Sequence, residues 1–130
     1  MQVNEADWVG MQPFSTQTVP SGQVAPSLRA TALALLARSR LAQGRAGDAL
    51  GPAEEAFAQL EAAGSVEEGE ALVRLAHAEA LEAAGRRGEA LAARAAARAR
   101  LLERAARLRD PGLRERFLTQ VPDHAATLTA

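Results

Sequence analysis

The chain has 130 residues, a formal net charge of −1 and a hydrophobic fraction of 48%, which fits one globular domain. It contains no cysteine, so disulfides and thiolate chemistry are excluded, and no apolar run is long enough to span a bilayer. Alanine, leucine, arginine and glutamate favour helix, whereas isoleucine and tyrosine, which favour strands, are absent, so the composition predicts an all-α fold.

Residues 1–26 are predicted to form an extended N-terminal arm, because proline disfavours helix at its own position and at the one before it. The prolines are Pro13, Pro20 and Pro26. The arm also carries Trp8, Met11 and Phe14, and leaving such a side chain in water costs about 1.5–3 kcal/mol. We therefore expect the arm to lie against protein surface, its own or that of a second copy, and the protein to form a homodimer.

Apolar residues recur at helical spacing from Ser27 onward. In the first helix Leu28, Ala32, Leu35 and Ser39 form one stripe, and Leu33, Leu36 and Arg40 lie beside it. Further helices are expected at about 48–63, 66–84, 89–109 and 110–118, and one more turn at 125–130.

Three local signals refine these helices. A capping box formed by Ser65 and Glu68 is expected to begin the third helix. Asp110 followed by Pro111 is expected to begin the fifth. Pro52 lies inside the second helix, where the loss of a backbone hydrogen bond predicts an irregular start or a kink.

A seven-residue motif occurs twice. Residues 44–50 read Gly-Arg-Ala-Gly-Asp-Ala-Leu, and residues 85–91, at an offset of 41, read Gly-Arg-Arg-Gly-Glu-Ala-Leu. Gly44 and Gly85 predict tight turns that need positive φ, and Ala49 and Ala90 allow two helices to approach closely. The sequence thus predicts two antiparallel helical hairpins.

The duplicated hairpin resembles the tetratricopeptide repeat, which carries a glycine at its turn and a small residue early in its second helix. Gly44 and Ala49 match these positions in one copy, and Gly85 and Ala90 in the other, while Arg40 stands where the family often has an aromatic residue. The resemblance implies a short α-solenoid over residues 27–130. Its parts are a hairpin at about 28–63, a hairpin at about 66–109 and a C-terminal cap at 110–130.

The tail resembles the C-terminal end of repeat regions in large bacterial signalling proteins, which often carry a Ser/Thr kinase or ATPase domain. The matching stretches are Leu101–Arg107 and Phe117–His124, with Asp110 and Pro111 between them. No such domain lies within these residues, so the resemblance implies a stand-alone relative or a detached regulatory part. All 15 basic residues are arginine, which indicates a GC-rich bacterial genome, and the absence of cysteine fits a cytoplasmic location.

The resemblance also implies where a partner binds, because the family uses the concave face formed by the first helix of each hairpin. That face would consist of Thr31, Ala34, Arg38, Leu41, Leu72, Leu75, Glu79 and Glu82. Chaperone-binding members grip a peptide carboxylate with lysine and asparagine, and this chain has no lysine and only Asn4. We expect an adapter or scaffold whose mixed apolar and charged groove binds another protein or peptide.

No catalytic, cofactor or metal site is expected, so the chain is predicted not to be an enzyme. His77 and His124 lack the companion ligands that zinc needs. Glu67, Glu68 and Glu70 are interpreted as carboxylates that favour a helix start. No glycine-rich loop is followed by the lysine of a phosphate-binding site.

The distribution of charge leaves an alternative function open. Residues 1–85 contain eleven acidic residues and five arginines, whereas residues 86–130 contain ten arginines and five acidic residues. This asymmetry allows head-to-tail association between copies. An arginine row could bind nucleic-acid phosphates, although it lacks interleaved aromatic residues. The row consists of Arg86, Arg87, Arg94, Arg98, Arg100, Arg104, Arg107 and Arg109.

Overall fold

The computed structural model describes residues 26–64 and 69–129, and these residues form six α-helices and no strand. In chain order they are α1 (Pro26–Ala42), α2 (Ala46–Ala63), α3 (Glu70–Ala83), α4 (Arg87–Ala106), α5 (Pro111–Thr119) and α6 (Pro122–Thr129). The expected all-α fold is confirmed for this part of the chain. The N-terminal arm and the Ser65–Glu68 capping box lie outside the described residues.

The first copy of the repeated motif forms a tight turn between α1 and α2. Gly44 has a φ of +77°. The amide of Arg45 donates to the carbonyl of Arg40 at 2.8 Å, and the amide of Gly44 donates to the carbonyl of Leu41 at 3.0 Å. This pair of bonds is the Schellman motif, which favours glycine because a Cβ disfavours positive φ.

The second copy repeats the same turn between α3 and α4. Gly85 has a φ of +84°. The Arg86 amide donates to the Leu81 carbonyl at 2.9 Å, and the Gly85 amide donates to the Glu82 carbonyl at 3.0 Å. Both predicted turns are therefore confirmed, with the same hydrogen bonds at equivalent positions.

Alanine makes the closest contacts between the helices. Ala49 and Ala53 of α2 pack with Ala37 of α1 and Ala80 of α3, and none of the four has exposed surface. Because an alanine side chain ends at Cβ, the helix backbones can approach closely at these points. Ala90, equivalent to Ala49 in the second hairpin, is likewise buried, so the sequence correctly placed both alanines in contacts.

The exposed side of α1 carries three of its five leucines, whereas Leu33 and Leu41 are partly buried against the core. Leu28 is 60% exposed and Leu35 is 54% exposed, whereas Ala30, Ala34 and Ala37 are buried. The apolar stripe that the sequence shows therefore faces outward. The alanine side of the same helix faces α2 and α3, where small side chains let the helices pack closely.

Three predicted helix boundaries are wrong. The fourth helix ends at Ala106 and not near residue 109. The third helix begins at Glu70 and not near residue 66, because Gly69 has a φ of +81°, which is incompatible with a right-handed helix. The last helix begins at Pro122 and not at residue 125, since proline is favoured in a first helical turn. Residues 122–129 therefore form a helix of two turns where a single turn was expected.

The C-terminal helices α5 and α6 fold back onto the hairpins. Asp110 begins α5 as predicted, with its carboxylate accepting from the Leu113 amide at 2.9 Å. Nδ1 of His124 lies 2.7 Å from the Phe117 carbonyl, so it must carry a proton and donate. The ring centroids of His124 and Phe117 are 4.3 Å apart. The α6 helix is thereby held against α3, α4 and α5.

A buried carboxylate joins the start of α3 to α4. Glu70 is 3% exposed and accepts from Nε of Arg100 at 2.8 Å and from Nε of Arg74 at 3.1 Å. Burial by itself would raise the pKa of Glu70, but the two guanidiniums outweigh it and hold this pKa below its ordinary value. Glu70 is thus not only a residue favourable to a helix start, as interpreted from sequence, but also an acceptor that ties two helices together.

Arg40 compensates for the proline inside α2. Pro52 has no N–H, so the carbonyl of Asp48, four residues earlier, has no helical donor. Nη1 of Arg40 donates to this carbonyl at 2.8 Å. The helix begins at Ala46, before the predicted start, and continues through Pro52.

Replacing Arg40 with alanine is expected to lower the free energy of unfolding by about 0.5–1 kcal/mol, because the Asp48 carbonyl loses its protein donor. In a Pro52→Ala background the new N–H supplies that donor, so the same replacement should have a much smaller effect. Urea denaturation of the wild type, the two single variants and the double variant gives the coupling energy between Arg40 and Pro52. Equal losses in the two backgrounds would show that Arg40 does not act through this carbonyl.

Candidate functional site

One open groove brings together half of the residues predicted to face a partner. It lies between α1, α3 and α4 and has a volume of about 520 Å³. Arg38, Leu41, Glu79 and Glu82 belong to the predicted set. The full lining is Arg38, Leu41, Ala42, Glu79, Glu82, Ala83 and Arg94.

Ion pairs cross the groove and its edge. Nε of Arg38 lies 3.0 Å from Oε1 of Glu79, and its Nη1 lies 3.7 Å from Oδ1 of Asp123 on α6. Nη2 of Arg94 lies 2.5 Å from Oε1 of Glu82. Such partly exposed pairs contribute only about 0–1 kcal/mol each. A charged partner can therefore exchange with them at small cost.

The other four predicted residues do not line this groove. Ala34 is 0% exposed, Leu72 8% and Leu75 3%, so the prediction that these three face a partner is wrong. They are buried because α3 contacts four other helices: α1, α2, α4 and α6. Thr31 is half-buried and approaches the start of α3, where a Cβ added at Gly69 would lie 2.5 Å from its Oγ1.

A second cleft, which the sequence did not indicate, lies on the opposite face of α3. It has a volume of about 320 Å³ and is lined by Phe57, Arg74, His77, Leu81, Glu89, Ala92, Ala93 and Ala96. The rings of Phe57 and His77 stack with centroids 4.4 Å apart, and the Arg74 guanidinium lies 5.7 Å from the Phe57 centroid. The wall formed by α4 is almost entirely alanine, so the cleft is apolar.

His77 favours its neutral form at this position. Burial lowers the pKa of His77 below its ordinary value, and its Nδ1 is buried without a hydrogen-bond partner among the described residues. Within the described ranges, no group of three or more His, Cys, Asp or Glu side chains is arranged to hold a metal ion. The contacts of His77 are thus those of an aromatic packing residue.

No family model matches the chain, and neither does a curated protein or a solved structure. In the part of the chain that the structure describes, no helix is both long and apolar enough to cross a membrane. The basis for proposing a function is therefore the groove, the cleft and the contacts of the charged side chains.

Most of the arginine row is engaged within the chain. Arg98 donates to the Leu128 carbonyl at 3.0 Å, and the Arg104 guanidinium lies 5.2 Å from the Phe117 ring centroid. Arg86, Arg94, Arg100 and Arg107 also have partners. Only Arg87 and Arg109 of the row make no polar or ring contact with described residues. The row therefore offers a phosphate few arginines that are not already engaged, although exposed pairs such as Arg94–Glu82 are weak.

Proposed function

We propose that the protein is a non-catalytic adapter that binds a peptide or a partner protein in the groove between α1, α3 and α4. The observation that carries this proposal is the convergence of Arg38, Leu41, Glu79 and Glu82 on one open surface. Leu41 and its alanine neighbours offer apolar contact, and the flanking pairs offer both signs of charge. An extended or helical peptide with one apolar side chain between charged residues suits this surface.

The two hairpins are proposed to form a short α-solenoid of the tetratricopeptide type. The support is the pair of matching turns at Gly44 and Gly85 and the pairing of Arg38 with Glu79, which are 41 residues apart. That separation equals the repeat offset, so equivalent residues of α1 and α3 lie side by side. The resemblance of the tail is the basis for proposing a role in bacterial signalling, in the cytoplasm, as a stand-alone chain or as a regulatory part.

Charge reversal inside and outside the groove tests the proposal. Glu82 lines the groove, with a side chain 58% exposed, whereas Glu61 is exposed on α2, away from it. A partner captured by the full chain from a lysate and identified by mass spectrometry is titrated calorimetrically with the wild type, Glu82→Arg and Glu61→Arg. We expect Glu82→Arg to weaken binding about tenfold or more, or about 1.4 kcal/mol, and Glu61→Arg to leave it nearly unchanged. Equal affinity for all three chains would overturn the proposed site.

A further inference from the structure

The outward face of α1 is apolar and nothing in the described structure covers it. Leu28 is 60% exposed, Leu35 54% and Leu36 40%, and we call these three residues the α1 stripe. Within the described residues, α1 packs only against α2 and α3. Exposed apolar side chains clustered in this way mark a surface that contacts something.

We propose that the segment Trp8–Val19 of the same chain packs along the α1 stripe. Helix α1 begins at Pro26, and the chain just before it carries Pro20 and Gly22. In a β-turn starting at Val19 these two residues would take the second and fourth positions. Proline and glycine are favoured at these two positions. A turn here directs the preceding residues back alongside α1, antiparallel to it.

The segment is long enough to cover the whole length of the helix. The 17 residues of α1 span about 25 Å at 1.5 Å each, and an extended segment of twelve residues spans up to about 40 Å. Trp8, Met11 and Phe14 are three residues apart, so in a polyproline II conformation they lie on one edge, about 9 Å apart. Leu28 and Leu35 are two helical turns apart, or about 10.5 Å. The aromatic and aliphatic side chains of the segment can therefore meet the leucines in register.

Charge also agrees with the antiparallel direction. The acidic residues Glu5 and Asp7 precede the segment and would lie beyond the C-terminal end of α1. The basic residues Arg40 and Arg45 are at that end, so opposite charges meet there. The reverse direction would need a long connection, and only four residues separate Ser21 from Pro26.

The covalent connection to α1 favours binding of the chain's own segment over that of a second copy. The connection between Val19 and Pro26 has six residues. A flexible linker this short gives an effective concentration in the millimolar range, far above that of a free chain in dilute solution. The covered stripe would close the open end of the helical array, which a short repeat protein needs for stability. Homodimer formation through the same leucines becomes the competing outcome of the test.

Trp8 is the only tryptophan, so its fluorescence reports on this segment alone. We expect Trp8 of the full chain to emit at shorter wavelength than free tryptophan and to be quenched several-fold less by acrylamide. Leu35→Asp should shift the emission toward that of free tryptophan, and so should Phe14→Ser. The control Leu91→Asp, at a leucine 69% exposed on α4, should leave it unchanged. Circular dichroism checks that each variant remains helical.

Three results would overturn the proposal. One is solvent-like emission from Trp8 in the wild type, and another is the same emission in Leu35→Asp as in the wild type. The third is loss of the wavelength shift on dilution, together with a dimer seen by light scattering at high concentration. That result would place the segment on a second copy and not on its own α1.

Discussion

Replacing Arg100 with leucine is expected to lower the free energy of unfolding by about 3 kcal/mol, a loss typical of removing one partner from a buried ion pair. Glu70 would remain buried with Arg74 as its only cation among the described residues, and the hydrogen bond of 2.8 Å from Arg100 would be lost. Leucine retains most of the apolar stem of arginine, so the loss reports mainly the charge. Urea denaturation at neutral pH measures it.

The same variant should also shift acid unfolding. In the wild type the pKa of Glu70 is held below its ordinary value of 4.5, so the unfolded chain takes up a proton at higher pH than the folded chain. The stabilisation is therefore complete above about pH 4.5 and is lost as the pH falls through the lower pKa of the folded state. Without Arg100, burial is offset less and the pKa of Glu70 rises. Arg100→Leu should accordingly unfold at higher pH than the wild type.

Two further chains separate the ion pair from a general effect of losing an arginine. In Glu70→Leu with Arg100→Leu, the buried carboxylate is removed together with its closest cation. Only the more exposed Arg74 and Glu103 lose a partner, so most of the stability should return. Arg98→Leu removes an exposed arginine of the same helix that donates only to a carbonyl, and it should cost less than about 1 kcal/mol. A loss in Arg100→Leu no larger than that in Arg98→Leu would contradict the role given to Glu70.

Local chemistry made the repeated turns predictable. Each turn depends on one glycine with positive φ and on two backbone hydrogen bonds within six residues, as at Gly44 and Gly85. The orientation of α1 was not predictable in this way, because both of its sides are apolar. Hydrophobicity ranks leucine above alanine, yet Ala34 is buried and Leu35 is exposed. The small alanine side chains let α1 pack closely on α2 and α3, and this close packing outweighs the burial of Leu35.

The sequence predicted the candidate site only where equivalent residues of the two repeats contact each other. Arg38 and Glu79 meet because equivalent positions of the two hairpins lie side by side. Leu72 and Leu75 belong to the same pattern but are buried, because α3 is packed between other helices, including α6 from the far end of the chain. The Phe57–His77 cleft was missed for a related reason. Its two rings lie on different helices, and only the packing of α2 against α3 brings them to 4.4 Å.

Gly69 lies at the start of α3 close to Thr31 of α1, and Gly69→Ala is expected to destabilise the fold by about 2–4 kcal/mol. Two effects add at this position. A left-handed conformation costs a non-glycine residue about 1–2 kcal/mol, and Gly69 has a φ of +81°. The new Cβ would also lie 2.5 Å from Oγ1 of Thr31, so either the Thr31 side chain must change its rotamer or the two helices must move apart. Urea denaturation of the variant measures the total.

Gly85→Ala isolates the first of these effects, because Gly85 has a φ of +84° and no atom within 4 Å of an added Cβ. It should therefore lose only the backbone term, about 1–2 kcal/mol. Thr31→Ala removes the second effect, so in that background Gly69→Ala should fall to the same value as Gly85→Ala. A shift of α1 away from α3 would also separate Arg38 from Glu79. Gly69→Ala should then weaken partner binding more than Gly85→Ala does.

If Gly69→Ala and Gly85→Ala lower the free energy of unfolding equally in the wild-type background, the close approach of Thr31 does not fix the spacing of the two helices.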